Sequence, residues 1–227
     1  MKLTFISKVQ LIDNVWTFQF QSSEPIRWTA GQYIRIELSH INPDAKGTKR
    51  YFTISSAPFE NVVNITTRIT DSTFKQALSK LPKGAELSLL NIPDGDFIWQ
   101  DSDRSIIFIA GGIGVTPFHS ILKQQFHDNL PLKVTLLYFN RTANIPFKKD
   151  LDLWAVNDST FIVDYEVGVH LSAEYLITKC PNLNSSMVYL SGPEPMVETI
   201  GDQLQTIGLP KSQLKQDYFS NYTENNY

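Results

Sequence analysis

The chain has 227 residues, of which 42% are hydrophobic and 19% charged, with a formal net charge of -3 at pH 7. That composition supports a globular chain of one large or two ordinary domains, and the near-neutral balance without a basic run excludes a nucleic-acid partner. One cysteine, Cys180, rules out an intrachain disulfide, a four-cysteine iron–sulfur cluster and a cysteine-rich zinc site within these residues.

The opening apolar stretch is too short for a secretory signal, and the longest apolar run, near residues 106–109, falls far short of a membrane span. A soluble, cytoplasmic, reducing setting is expected. Segments 3–9, 15–20 and 33–38 alternate apolar and polar residues in the period of half-buried strands. Asp13-Asn14, Pro25 and Asn42-Pro43-Asp44 with Gly47 supply the turns between them. Further strands are expected at 50–55, 62–69 and 86–90, with one helix at 73–80 presenting Phe74, Ala77, Leu78 and Leu81 on one face. Several short strands with regular turns suggest a small barrel or sandwich.

The pattern changes after Asp101-Ser102-Asp103. A continuous apolar strand at 105–110 runs into glycines and then a helix that aligns Phe118, Ile121, Leu122 and Phe126. Buried-type strands at 134–139, 161–167 and 187–190 alternate with helices at 148–154, 172–178 and 195–206, and a last strand is expected at 215–219. Alternating strands and helices predict a doubly wound parallel sheet. The expected division is therefore a first domain at 1–101 and a second at 102–227.

Gly111-Gly112-Ile113-Gly114, ahead of Thr116-Pro117, joins a strand to a helix. Glycines allow a sharp turn and close backbone approach, and the free N–H groups of the helix suit a pyrophosphate. Taken alone, the turn reads equally well as a tight connection, because it lacks the spaced G-x-G-x-x-G fingerprint. Asn140-Arg141-Thr142 and Ser191-Gly192-Pro193 close two more strands of the same sheet, where ligands gather. Arg141 also reads as an exposed loop charge. No histidine (His40, His119, His127, His170) has metal-ligand spacing, so no metal is expected, and His119 and His127 read as surface or partly buried helix positions.

The motifs Ala30-Gly31-Gln32-Tyr33, Arg50-x-Phe52-Thr53, Ser55-Ser56, Pro93-x-Gly95-x-Phe97, Gly111-Gly112-x-Gly114-x-Thr116-Pro117 and Gly192-Pro193-x-x-Met196 occur in that order. In these the chain resembles, along nearly its whole length, the ferredoxin–NADP reductase superfamily of two-domain flavoprotein reductases. The resemblance implies an antiparallel β-barrel flavin domain followed by an α/β doubly wound parallel-sheet nucleotide domain. It implies FAD, NADPH or NADH as cofactors, and hydride transfer between them.

By the same resemblance Arg50 pairs with the FAD pyrophosphate and Phe52 packs on the isoalloxazine, where relatives usually carry tyrosine. The Thr53 hydroxyl faces flavin N5, and Ser191 stands where many relatives have cysteine; these two are the implied catalytic positions. Tyr51, Ser55 and Ser56 complete the first cofactor-binding run. Ser72, Thr73 and Phe74 stand nearest to the phosphate-facing segment, usually Gly-x-x-Ser, and read equally as a simple helix cap. The implied nucleotide set is Gly111, Gly112, Gly114, Thr116, Pro117, Asn140, Arg141, Gly192, Pro193 and Met196. Near the C-terminus Phe219, Tyr222 and Tyr227 are candidates to shield the flavin.

Three activities remain open on these residues. The first is a reductase, expected to be a monomer, that passes electrons to a redox partner such as a ferredoxin, a flavodoxin or an oxygenase component. The second uses free flavin or another small acceptor as substrate. The third is a non-catalytic electron-transfer or regulatory subunit. Arg141, Lys148 and Lys149, with no acidic residue closing strand 134–139, lean toward NADPH.

Overall fold

The computed structural model describes residues 1–219, except for the Phe219 side chain. Tyr222 and Tyr227 lie outside the described residues. The first sheet contains β1 (Lys2–Ile12), β2 (Val15–Ser22), β3 (Tyr33–Glu37), β4 (Lys49–Thr53), β5 (Val63–Arg68) and β6 (Glu86–Leu89), in the order β4-β3-β6-β1-β2-β5. Every recorded pairing in it is antiparallel. An Ile54–Ile65 bridge joins the end of β4 to β5, so the two edges of the sheet meet and the barrel closes. Alternation sends Leu3, Phe5, Phe18, Phe20, Ile34 and Ile36 inward, and Phe74 and Leu78 of α1 (Thr73–Ser79) fill the same core.

The second sheet is parallel, in the order β11-β10-β7-β8-β9. It is built from β7 (Ile106–Gly111), α2 (Val115–His127), β8 (Val134–Asn140), α3 (Lys148–Asn157), β9 (Phe161–Val167), α4 (Ala173–Lys179), β10 (Met187–Pro193), α5 (Glu194–Thr206) and β11 (Leu214–Phe219). Strand β7 is apolar throughout because both of its faces are covered. Ile106 and Phe108 face a core with Phe118 and Ile121 of α2 and Trp154 of α3. Ile107 and Ile109 face the opposite core with Leu176 of α4 and Val197 and Leu204 of α5. Helices thus flank the sheet on both sides, as the alternating pattern predicts.

One local difference bears on the site. Strand β7 continues to Gly111, Gly112–Gly114 form a short 3-10 turn, and α2 begins at Val115, so Thr116-Pro117 sits inside the first helical turn instead of opening it. Gly112 takes φ +48°, a left-handed conformation that only glycine adopts without strain.

The two sheets pack through α2. His119 is buried, with Nδ1 3.0 Å from the Ser55 carbonyl and Nε2 2.9 Å from Asp150 Oδ2. The Ser120 hydroxyl donates to the Ser56 carbonyl at 2.7 Å, and Lys123 pairs with Glu60 at 2.7 Å. His119 is therefore more deeply buried than the surface or partly buried helix position expected from the sequence. Among the described residues no helix is long and apolar enough to cross a membrane.

Candidate functional site

The order of the parallel sheet reverses between β7 and β10, since the chain runs outward from β7 through β8 to β9 and returns to place β10 and β11 on the other side. Open sheets of this kind bind ligands beyond the strand carboxyl ends at that reversal. The β7–α2 turn and Ser191-Gly192-Pro193 both end there, side by side, and Asn140 and Arg141 close neighbouring β8. A Cβ on Gly114 would lie 2.5 Å from the Ser191 carbonyl oxygen and 2.7 Å from Gly192 Cα, so only glycine lets the two turns touch. Met196 covers Gly111 and Gly192. The Thr116 hydroxyl donates to the Ile113 carbonyl at 3.1 Å, locking the 3-10 turn.

Strand β4 brings the barrel to the same place. A narrow cleft is lined by Tyr51, Phe52, Thr53, Thr66 and Thr67 from the barrel and by Ile113 and Thr116 from the second sheet. In the β3–β4 register Ile34 opposes Phe52 and Ile36 opposes Arg50, so Phe52 and Arg50 share the core-facing side. Tyr51 points the other way. It is 58% exposed, edge-on to Tyr33, with the Arg35 guanidinium 5.1 Å from its ring.

The structure spends some of the expected ligand groups on the fold. The Ser55 hydroxyl lies 2.8 Å from Thr66 Oγ1, and the Ser56 hydroxyl donates to the Val62 carbonyl at 2.7 Å, so both staple the barrel closure. Phe74, expected to bind cofactor, is completely buried in the barrel core. Its ring supports Phe52 at 5.9 Å and Arg50 at 5.1 Å, so its side chain belongs to the apolar core.

Around α1 lies a concentration of positive charge. Lys75 is 4% exposed, and its ammonium is pushed down to about 7 by burial, then by Lys46, Arg68 and Arg50. Burial is the larger cause, and the three neighbouring cations add repulsion to it. Ser72 and Thr73 offer a hydroxyl and a backbone N–H at the same place, both engaged by Asp44, a residue that sequence reasoning passed over as a turn former.

Asp217 was also missed. Register places it beside Ser191 across β10 and β11, where the serine hydroxyl lies 3.4 Å from Asp217 Oδ2. Burial, with Asp96 adding repulsion, lifts its carboxyl from 3.8 to about 6, against the lowering effect of the Ser191 hydrogen bond. The folded chain thus holds the proton more tightly than the unfolded one, so stability falls as the pH rises from about 4 to about 6. Asp217→Asn removes that loss. The variant is expected to exceed the parent by ~1–3 kcal/mol at about pH 7 and to match it below about pH 4, read by urea unfolding at each pH. Phe219 pairs through its backbone with Pro193, at the edge of the same site.

Comparison with known proteins agrees with this geometry. Residues 108–202 match the family model described as the oxidoreductase NAD-binding domain. Flavohemoprotein A of Dictyostelium discoideum is 25% identical, over 95% of this chain and 59% of its own length. The phthalate 4,5-dioxygenase oxygenase reductase subunit of Pseudomonas putida is 22% identical, over 88% of this chain and 62% of its own. The chain thus spans about three-fifths of the length of these curated relatives. The FAD/NAD-binding domain of nitric oxide dioxygenase from Vibrio cholerae O1 biovar El Tor superposes with a TM-score of 0.81 at 20% identity, covering 96% of this chain and 98% of that one. The closed antiparallel barrel followed by a doubly wound parallel sheet is thus the two-domain fold of that FAD/NAD-binding structure, and residues 108–202 of the second sheet match the oxidoreductase NAD-binding domain.

Proposed function

We propose that the chain is an NAD(P)H-dependent flavoprotein reductase that binds FAD on its barrel and passes electrons to a separate acceptor protein, such as a ferredoxin, a flavodoxin or an oxygenase component. The observation that carries this reading is the cleft in which Thr53 and Phe52 of the barrel face Ile113 and Thr116 at the reversal point of the parallel sheet. FAD and the nicotinamide, when bound, supply the hydride and one-electron chemistry. The protein's part is placement and exclusion of water.

Arg50, Lys75, Ser72 and Thr73 form a donor set that fits a diphosphate. Thr53 is almost fully buried in the cleft lining, and its hydroxyl would offer a hydrogen bond to a bound flavin. The β7–α2 turn would hold the dinucleotide's diphosphate, and Gly114 keeps that turn packed against the Ser191-Gly192 backbone. Oxygenase reductase subunits among the relatives support a protein acceptor.

A second reading, in which flavin is a substrate that comes and goes, draws support from Asp44, which already engages the Ser72 and Thr73 donors. One experiment separates the two. Purified protein is loaded with FAD, passed through a gel-filtration column and mixed anaerobically with NADPH or NADH. Retained flavin absorption that bleaches on mixing is the expected result. Flavin lost on the column but reduced in steady state selects the second reading, and no reduction with either nucleotide removes both.

A further inference from the structure

The segment between β3 and β4 folds back over the start of α1, and Asp44 is its anchor. The carboxylate accepts from the Arg50 guanidinium at 2.9 Å, the Thr73 backbone N–H at 3.1 Å, the Ser72 hydroxyl at 3.3 Å and the Lys46 backbone N–H at 3.0 Å. Its own N–H donates to the Thr73 hydroxyl at 2.9 Å, and His40 Nε2 lies 3.0 Å from that same hydroxyl. The rest of the Arg50 fork is turned onto the carbonyls of Lys46, Gly47 and Lys49, at 2.7–2.9 Å. A carboxylate thus sits on an arginine, a hydroxyl and a main-chain N–H, the same donors that the proposed diphosphate requires.

We propose that Asp44 is a built-in anion that holds the flavin's diphosphate seat and must be displaced when FAD binds, which makes it the residue that sets flavin affinity. The inference rests on the FAD reading above. The seat cannot serve both anions, because Arg50 presents one guanidinium and Thr73 one N–H. Binding therefore costs the Asp44 contacts and leaves its carboxylate close to the incoming phosphates, where like charges repel. A ligand without phosphate feels neither effect.

The test compares Asp44→Ala and Asp44→Asn with the parent protein, all freed of flavin, by fluorescence titration with FAD and with riboflavin. Asp44→Ala is expected to bind FAD about tenfold or more tightly, the scale of one set of charge-assisted hydrogen bonds, with riboflavin affinity unchanged. Asp44→Asn, which keeps the shape and loses the charge, is expected to fall between. Should Asp44→Ala fail to fold, the Asn variant carries the comparison. Inorganic diphosphate is a second probe and is expected to raise the thermal midpoint of the Asn variant more than that of the parent. Equal FAD affinity in parent and variants, or an equal gain for riboflavin, overturns the proposal and leaves the FAD reading standing. Absence of FAD binding to every form removes both.

Discussion

Arg50→Ala is expected to weaken FAD binding about 30- to 100-fold, the equivalent of ~2–3 kcal/mol for charge-assisted hydrogen bonds to a phosphate. Nicotinamide dinucleotide binding by the second domain should stay within about twofold, because Arg50 belongs to β4 and the nucleotide turn to β7 and α2. Two effects act in the same direction. The fork that would hold the diphosphate is lost, and Asp44 is left without its 2.9 Å ion pair at the place where the phosphates must enter. Arg50→Lys keeps the charge and loses the planar fork, so an intermediate affinity is expected. Fluorescence titration with FAD and calorimetry with the nucleotide measure the two halves separately. An Arg50→Ala protein that keeps its full complement of FAD after gel filtration contradicts the assignment.

The second large effect is expected at Gly114. Its hypothetical Cβ falls 2.5 Å from the Ser191 carbonyl oxygen and 2.7 Å from both the nitrogen and Cα of Gly192. These are backbone atoms of β10, which is hydrogen-bonded on both sides, to β7 and β11, so they have no soft direction in which to retreat. Gly114→Val must push the two strand-end turns apart. A stability loss of about 2–4 kcal/mol is expected, read as a shift of the urea midpoint, in the range of overpacked core substitutions. The same displacement moves Ser191 from the mouth of the β7–α2 turn, so nucleotide affinity should fall well beyond what the stability loss accounts for. Unchanged stability and affinity would mean that the two turns are not the rigid unit described.

Much of this architecture is legible in the chain itself. Leu3, Phe5, Phe18, Phe20, Ile34 and Ile36 alternate with polar residues and all turn inward, because a closed barrel has one buried face. Ile106 through Ala110 do not alternate, and the strand they form is covered by helices on both sides. That apolar run ends at the glycines, which marks the strand-to-helix connection, although α2 begins at Val115, one residue before Thr116-Pro117. Three parts were not legible, each because it depends on distant residues meeting. Asp44 in Asn42-Pro43-Asp44 has the local chemistry of a turn, and nothing near it in the chain marks a partner at Ser72 and Thr73. His119, Ser120 and Lys123 form the polar stripe that an amphipathic helix normally gives to water, but here the stripe docks on the carbonyls of Ser55 and Ser56 and on Glu60. Asp217 gains its elevated carboxyl from burial in the folded sheet, with Asp96 adding repulsion, while the Ser191 hydroxyl that the β10–β11 pairing sets beside it acts the other way. The Phe74 side chain lies in the barrel core, as the apolar face it shares with Leu78 indicates in the sequence.

The central claim is that Thr53 of the barrel and the Thr116–Ser191 corner of the nucleotide domain bring two cofactors into direct contact. Anaerobic stopped-flow mixing of the FAD-loaded protein with NADPH or NADH deuterated at the nicotinamide C4 position tests it most directly. The predicted result is loss of the visible flavin absorption with one equivalent of nucleotide and a primary deuterium isotope effect on its rate. FAD that is bound by the protein and left oxidised by both nucleotides would contradict it.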